Sequence, residues 1–410
     1  METLIALCGV GAEKVVANEL RKLNLRIRDA GFGRVRFEAD IQGAYRALMS
    51  LRAADRLLLE AACFPAPDFD TLFDGTSAVP WEGYIPAGMG LRVTKVRTNR
   101  SRLEAVTSIQ GVIHKAAADR LCKAHAVPRL PDTGPQAELR AYIEKDEVSL
   151  LLDLSGEPLF KRGYRSEGGA APLRETTAAA LLFLTNWRRK FPLYDPFCGS
   201  GTIVIEAALY AWNMAPGLGR SFALSDLSLG NPEIERTVRE ELLARVDFSH
   251  TVRIYGSDMD PRAVSIAGSN LIRAFELARG ETPRRGIRTG LPAEPRSLSG
   301  AVAAPAAPVS GPAYPALPNL RVLTLRNVKA PAPEGCIVTN PPYGVRLGEP
   351  AAAEATYREM AELEKRFPGW KLAVLTDHPG FESHFGRKAE SCREITNGAI
   401  DSYLFQYGKL

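Results

Sequence analysis

The stretch FPLYDPFCGSGT, residues 191–202, precedes the apolar run from Ile203 to Met214. This order predicts a buried strand, a turn and a helix, and the two glycines of the turn let the backbone approach a ligand at the helix N-terminus. Val204 stands where a dinucleotide-binding fingerprint has its third glycine, which disfavours NAD. A ligand with a carboxylate and an amine fits better, because the helix N-terminus can hold the carboxylate and Asp195 can face the cationic end.

A second predicted strand, in the run VRIYGSDMDP at residues 252–261, also ends in acidic residues. Asp258 falls at its tip, where a carboxylate can bind both hydroxyls of a ribose. Asp260 precedes Pro261 and is expected to cap the helix that starts there, and Asp40 is placed to cap a helix that runs through Leu51.

The tetrapeptide Asn340-Pro341-Pro342-Tyr343 follows the apolar run 335–339, which predicts a buried strand. An amine on a planar ring is a poor nucleophile, because its lone pair is delocalised. The Asn340 amide oxygen and the Pro341 carbonyl can accept its two hydrogens, and the prolines hold these acceptors rigidly. Tyr343 offers an aromatic face to a flipped base. With the glycine-rich turn and Asp258, these four catalytic candidates predict a class I S-adenosylmethionine methyltransferase.

Composition narrows the class of protein. The chain has 410 residues, 45% of them hydrophobic and 24% charged, which suits a globular protein of two or three domains. No apolar run reaches the roughly 20 residues that a membrane span needs. The N-terminus lacks a basic leader and is interpreted as mature protein. Six scattered cysteines without a Cys-x-x-Cys pair predict reduced thiols in the cytoplasm, and neither they nor the five histidines predict a metal site.

Net charge is only +5, but nine basic and two acidic residues lie between Leu91 and Arg129. This local excess predicts a phosphate-binding surface, with a solvated helix-and-loop face as the alternative. Residues 161–165, KRGYR, are further candidates, unless Tyr164 is buried and the arginines bridge two domains. The residues predicted to bind RNA are Lys95, Arg97, Arg100, Arg102, Lys115, Lys161, Arg162 and Arg165.

Periodicity predicts three domains: a ferredoxin-like α/β unit at residues 1–64, a second α+β unit at 65–163, and a catalytic domain at 164–410. Strands and helices alternate in the third, which predicts a mostly parallel sheet whose final strand, Tyr403–Tyr407, is an antiparallel edge insertion. Residues 280–318 are rich in Pro and Ala and predict a disordered surface insertion. Its arginines, Arg284, Arg285, Arg288 and Arg296, contact RNA or have no function.

Six blocks of the sequence resemble one family, the bacterial THUMP-domain 23S rRNA guanine-N2 methyltransferases. The blocks are SRLEAVTSIQGVIHKA (101–116), LDLSGEPLFKRGYR (152–165), APLRETTAAALL (171–182), DPFCGSGTIVIEAA (195–208), GSDMDPRAV (256–264) and TNPPYGVRLG (339–348). The resemblance implies a Rossmann-like seven-stranded catalytic domain, a THUMP domain at 65–163 that presents 23S rRNA or its precursor particle, and methylation of a guanine N2 amine. It also implies a cofactor pocket, for which the candidates are Asp195, Cys198, Gly199, Ser200, Gly201, Thr202, Asp258, Met259, Asn327, Asn340 and, more weakly, Leu173 and Thr176.

Asn327 is a departure from the family, because related chains usually place an Asp there to accept the adenine amino group. Its amide oxygen can still accept that hydrogen bond. Three alternatives share the tetrapeptide or the fold: an adenine-N6 methyltransferase, a protein glutamine-N5 methyltransferase and a non-catalytic RNA-binding assembly factor. A pyrimidine-C5 mechanism with Cys198 as nucleophile is disfavoured, because this cysteine sits inside the glycine-rich turn at residues 195–202, which is called the cofactor turn below.

Overall fold

The computed structural model describes residues 1–165, 173–249, 251–280, 317–342 and 350–408. Tyr343 and the four arginines of the predicted insertion lie outside these ranges. Within them, the strands form two seven-stranded sheets. No helix in the described ranges is long and apolar enough to cross a membrane.

The first sheet has the strand order β2-β3-β1-β4-β7-β6-β5. Its strands are β1 Glu2–Cys8, β2 Arg26–Gly31, β3 Arg34–Ala39, β4 Ala54–Pro65, β5 Gly90–Asn99, β6 Gln136–Glu144 and β7 Glu147–Asp153. The helices of this part are α1 Glu13–Lys22, α2 Ile41–Ser50, α3 Phe69–Ala78 and α4 Val106–Ala124. Asp40 caps α2 as predicted, because its carboxylate accepts from the Gly43 N–H at 2.7 Å.

The long strand β4 crosses the boundary predicted between residues 64 and 65. It pairs with β1 on one side and with β7 on the other, so the first two predicted units share one continuous sheet. The division into two domains stays a prediction.

The second sheet has the order β10-β9-β8-β11-β12-β14-β13. Its strands are β8 Leu193–Asp195, β9 Ile254–Asp258, β10 Asn319–Val322, β11 Gly335–Thr339, β12 Trp370–Thr376, β13 Ser391–Asn397 and β14 Ile400–Tyr407. The first five pair in parallel, which confirms the predicted fold class. β14 is antiparallel as predicted, but it lies between β12 and β13, so the edge position predicted for it is wrong.

Seven helices belong to the described part of the chain that contains the second sheet. They are α5 Glu175–Leu184, α6 Thr202–Ala211, α7 Pro232–Leu243, α8 Pro261–Ala278, α9 Pro350–Met360, α10 Leu363–Arg366 and α11 Phe381–Phe385. Helices α6 and α8 begin a few residues after the ends of β8 and β9. Asp260 caps α8 by accepting from the Arg262 N–H at 2.8 Å, as the sequence predicts. β8, β9 and β11 are parallel neighbours, so their carboxyl ends meet at one edge of the sheet.

A buried charge network joins the two sheets. The Arg162 guanidinium donates to the carbonyls of Leu159 and Arg52 and lies 3.5 Å from the Glu206 carboxylate on α6. Tyr164 donates to the same carboxylate at 3.1 Å. Arg162 is only 3% exposed, so the RNA contact predicted for it does not fit. The alternative, a bridging arginine beside a buried tyrosine, does.

Removal of the Arg162 guanidinium should strongly destabilise the protein. Arg162→Ala removes the guanidinium paired with the buried Glu206 carboxylate and leaves the charge of Arg52 to oppose its burial alone, so we expect the free energy of unfolding to fall by about 3–5 kcal/mol. The neighbouring Lys161→Ala is the control, because Lys161 pairs with Glu157 in solvent, where an ion pair contributes about 0–1 kcal/mol. Urea denaturation followed by circular dichroism measures both; equal losses would show that the buried network does not stabilise the junction.

Candidate active site

The glycine-rich turn after β8 is held to the tip of β9 by hydrogen bonds. The N–H of Cys198 donates to the Ser257 carbonyl at 2.9 Å, and the N–H of Gly199 donates to the Asp258 carboxylate at 3.0 Å. The second oxygen of this carboxylate accepts from the Asp260 N–H at 3.0 Å. Asp258 therefore shapes the turn, and its predicted bond to the cofactor ribose stays a prediction.

The two glycines of the turn serve different purposes. Gly201 has a φ of +86°, and a Cβ placed there would lie 3.0 Å from the Ala267 Cβ on α8. Only glycine allows this approach of α6 to α8. Gly199 has a φ of +52°, yet a Cβ placed there would meet nothing within 4 Å. The turn therefore presents bare backbone to open space, as a cofactor bound against it requires.

Asp195 links the end of β8 to the end of β11. Its carboxylate accepts from the Thr339 hydroxyl at 2.6 Å and from the Phe197 N–H at 3.1 Å. Burial raises the pKa of the Asp195 carboxyl to about 7, although these two hydrogen bonds act in the opposite direction. Asp195 therefore titrates close to neutral pH, where a nearby cationic group would favour its ionised form.

Asn340 follows Thr339 directly, so the Asp195 bond fixes the strand end from which it projects. Its side-chain oxygen is buried and has no hydrogen-bond partner among the described residues. Such an orphaned acceptor is rare in a folded protein and needs an explanation. Pro341 is buried and Pro342 partly buried. The site therefore holds a buried acceptor that no donor within the described ranges occupies.

The other predicted cofactor residues lie in different surroundings. Met259 is 75% exposed beside Asp258, an apolar surface that a bound ring would cover. Asn327 is exposed after β10, and Leu173 is buried before α5. Cys198 is buried, which raises the pKa of its thiol well above the usual range and argues against a cysteine nucleophile.

Arg165 holds the cofactor turn, a role that the sequence analysis missed. Its guanidinium donates to the hydroxyls of Ser200 at 3.2 Å and Thr202 at 3.0 Å, and it pairs with Glu175 at 2.8 Å. The RNA contact predicted for Arg165 therefore does not fit. The hydroxyls of Ser200 and Thr202 accept from this arginine and keep their own protons to donate, so their predicted contact with the cofactor stays a prediction. The signal was weak, because the partner lies some 35 residues further along the chain.

Thr176 joins the start of α5 to the first sheet. Its hydroxyl donates to Asp55, at the start of β4, with a distance of 2.5 Å. The hydroxyl can still accept a hydrogen bond, so the cofactor contact predicted for Thr176 stays a prediction.

Six of the eight predicted RNA-binding residues are exposed, namely Lys95, Arg97, Arg100, Arg102, Lys115 and Lys161. Acidic residues outside the basic stretch neutralise part of it. Glu82 binds Arg120 through two hydrogen bonds, of 2.6 and 2.9 Å. Asp146 lies 3.5 Å from Arg102. The positive surface is therefore smaller than the sequence count indicates.

Glu354, His378 and His384 each place one potential ligand atom within 4.8 Å of the others. Sequence spacing did not predict this cluster, because it forms where α9 packs against α11. The Gly380 N–H donates to His378 Nδ1 at 3.1 Å, which occupies the lone pair of that nitrogen. His384 Nε2 lies 3.5 Å from the Glu354 carboxylate, as in an ion pair.

The parallel sheet with the antiparallel strand β14 inserted before its edge, the turn after β8, the acid after β9 and the polar end of β11 define a class I S-adenosylmethionine-dependent methyltransferase. The chain belongs to the family described as RMKL-like methyltransferase domain, whose model matches residues 162–279 and 317–406. Residues 3–58 match a model described as RlmL ferredoxin-like domain.

Three relatives extend this assignment. "Putative RNA methyltransferase YpsC" of Bacillus subtilis is 35% identical over 407 residues, which cover 99% of this chain and 95% of YpsC. "Ribosomal RNA large subunit methyltransferase K/L" of Syntrophotalea carbinolica is 33% identical over 97% of this chain, which spans about half of that relative's length (52%). The crystal structure of SMU.472 complexed with SAH, the demethylated cofactor, is 33% identical, has a TM-score of 0.82 and covers 100% of this chain and 98% of that one. The cofactor is S-adenosylmethionine.

The affinity for S-adenosylmethionine should depend on pH if Asp195 faces the cationic end of the cofactor. The Asp195 pKa of about 7 means that the carboxyl is mostly neutral at pH 6 and ionised at pH 8. A cation prefers the ionised form, so we expect binding to be about tenfold weaker at pH 6 than at pH 8 by calorimetry. Asp195→Asn keeps the shape and should remove most of this dependence. Equal affinities of the wild-type protein at both pH values would contradict the placement.

Proposed function

We propose that this protein transfers the methyl group of S-adenosylmethionine to the exocyclic N2 amine of a guanine in 23S rRNA. The observation that carries the proposal is the buried side-chain oxygen of Asn340, which has no hydrogen-bond partner in the part of the chain that the structure describes and lies at the sheet edge of the cofactor turn. The name of the ribosomal RNA methyltransferase relative supports the substrate class.

The acceptors of the tetrapeptide suit an amine with two N–H donors. Asn340 Oδ1 can accept one hydrogen and the Pro341 carbonyl the other, which localises the lone pair of the amine on nitrogen. S-adenosylmethionine supplies an electrophilic sulfonium methyl. The Asn340 amide cannot take a proton, so the proton of the methylated amine leaves to water.

Preorganisation accounts for the rate acceleration. β11 lies between β8 and β12, and Thr339 is bonded to Asp195, so the strand end before Asn340 is fixed before substrate arrives. Acceptors fixed in this way need no reorganisation as positive charge develops on the amine nitrogen. The protein's contribution is therefore to position and polarise the amine.

A nucleic-acid substrate agrees better with the exposed basic residues than a protein glutamine does. Phosphates of a nucleic acid can bind the exposed cations of Lys95, Arg97, Arg100 and Lys115. A glutamine side chain is neutral and would not bind them in this way. An adenine N6 amine would fit the same two acceptors. Guanine and adenine are therefore distinguished by identifying the methylated nucleoside in the product.

Asn340→Ala should abolish methyl transfer and leave cofactor binding nearly intact. Loss of one fixed polar group at the reacting centre lowers kcat by about 100- to 1,000-fold. The control is Asn319→Ala, an exposed asparagine at the start of β10 in the same sheet, which should retain the wild-type rate. Single-turnover assays with labelled S-adenosylmethionine measure the rate and calorimetry the binding; a variant that keeps most of its rate would remove Asn340 from the mechanism.

Nucleoside mass spectrometry of 23S rRNA identifies the product. We expect N2-methylguanosine after incubation of rRNA from a strain that lacks this gene with the purified protein. N6-methyladenosine would replace the guanine proposal by the adenine one. No methylated nucleoside, together with no detectable binding of S-adenosylmethionine, would favour a non-catalytic assembly factor.

A further inference from the structure

A groove of about 1870 Å³ crosses the face of the first sheet that lies opposite its helices. Side chains of a strand alternate between the two faces, and the residues at positions 4, 35, 37, 57 and 59 pack toward the helices. Their neighbours Arg34, Arg36 and Arg56 therefore point to the other face, where they line the groove. Leu7 and Tyr142 line the groove as an apolar floor, and they pack on the buried Ile5 and Leu58 beneath it.

The strand register places the basic side chains on both sides of this floor. Arg36 is the cross-strand partner of Ile5. Further along the sheet, Arg140 on β6 is the cross-strand neighbour of Leu151 on β7 and of Lys95 on β5. Eight basic and five acidic side chains line the groove, so its lining is positively charged as a whole.

Acidic neighbours neutralise some of these cations but not all. Arg36 pairs with Asp29 and Glu60, and Arg56 with Asp153. Lys95 and Arg97 form no ion pair within the part of the chain that the structure describes. Burial lowers the pKa of the Lys95 ammonium, and the charges of four arginines lower it further, Arg97 and Arg140 foremost. A bound anion would relieve this repulsion.

Phe32 adds an aromatic surface at the rim. It occupies the two-residue turn between β2 and β3, where Gly33 supplies the positive φ of +75° that the turn requires. The Phe32 ring is 88% exposed and lines the groove. The ring and the cations on β5 lie toward opposite ends of the strand order but line one groove. A groove with an exposed ring and unpaired cations suits a single-stranded nucleic acid, because a base can stack while the phosphates bind the cations.

The catalytic domain forms one wall of the groove. Arg174 and the turn between β13 and β14, at Gly398 and Ala399, line it. Arg174 is bonded to Asp55 at 3.0 Å and precedes α5, whose first residue, Glu175, pairs with the arginine that holds the cofactor turn. A strand bound in the groove therefore reaches the domain that carries the chemistry.

We propose that this groove binds a single-stranded segment of the RNA substrate, with phosphates on Lys95 and Arg97 and one base stacked on Phe32. The inference rests on the proposed function for the nature of the substrate. It adds a binding site on the first sheet, in which Phe32, Arg56 and Arg140 take part although the sequence did not single them out. Duplex RNA fits less well, because its bases are stacked on one another and offer no face to the ring.

Salt-dependent binding of a fluorescein-labelled 12-nucleotide oligouridine tests the phosphate contacts. Lys95→Ala/Arg97→Ala should reduce the slope of log K against log salt by about 1.4 and lower the affinity at 0.1 M salt about 25-fold, since each single-strand phosphate contact contributes about 0.7 to the slope. Lys14→Ala/Lys22→Ala makes the same change of net charge on α1, on the other face of the sheet, and should bind like the wild-type protein. An unchanged slope in the groove variant would overturn the proposal.

Phe32 provides an independent test. Phe32→Ala should weaken oligouridine binding between about fivefold and a hundredfold without changing the salt slope, and Phe32→Tyr should restore it. Binding of a blunt RNA duplex of equal length should not respond to either change. An equal loss for duplex and single strand would contradict stacking.

Methyl transfer by the wild-type protein separates this inference from the proposed function. If the wild-type protein methylates 23S rRNA while both groove variants bind oligouridine normally and keep the wild-type KM for rRNA, only the groove assignment fails. If the wild-type protein methylates no RNA, the proposed function fails whatever the groove binds. The inference expects a raised KM for rRNA in both variants and an unchanged affinity for S-adenosylmethionine.

Discussion

The hydrogen bond from Thr339 to Asp195 is the constraint on which the site depends. Two polar side chains meet inside the sheet, where neither is accessible to water, because β8 and β11 are adjacent parallel strands that end together. A buried carboxyl without this donor would be still harder to ionise. The bond thus sets the geometry of the cofactor turn, the protonation of Asp195 and the starting point of the tetrapeptide at once.

Buried charged side chains fix how the first sheet packs against the catalytic domain. Arg52 and Arg162 lie among backbone carbonyls and near Glu206, and burial raises the pKa of Glu206 while the arginines oppose this effect. A buried ion pair adds little stability over an apolar pair, but any other arrangement would leave one of its charges unpaired. We infer that the network selects one orientation of the two sheets. The backbone bonds from Gly217 to Met49 and from Leu224 to Leu154, of 2.8 and 3.0 Å, reinforce that orientation.

The sequence predicted secondary structure well where residues within one short segment determine it. The caps at Asp40 and Asp260 and the strand, turn and helix around residues 191–211 are of this kind. The sequence did not predict β2 and β13, because they are edge strands with little apolar alternation, β2 being exposed almost throughout and β13 in its first half. The tertiary partners of Arg165 and Thr176 could not be predicted, because the type of a polar residue does not show which distant residue the fold brings next to it.

The start of α5 connects the parts of the molecule that the proposals treat separately. The Arg174 N–H donates to the Asn397 side chain at 3.1 Å, its guanidinium binds Asp55, and the next residue, Glu175, holds the arginine of the cofactor turn. One turn of helix thus contacts the first sheet, the β13–β14 hairpin and the cofactor turn. A ligand that shifts Arg174 from the groove side must disturb these bonds, because packed elements do not deform independently. Occupation of the groove and binding of the cofactor are therefore expected to be thermodynamically linked, and by reciprocity each would change the affinity for the other by the same factor.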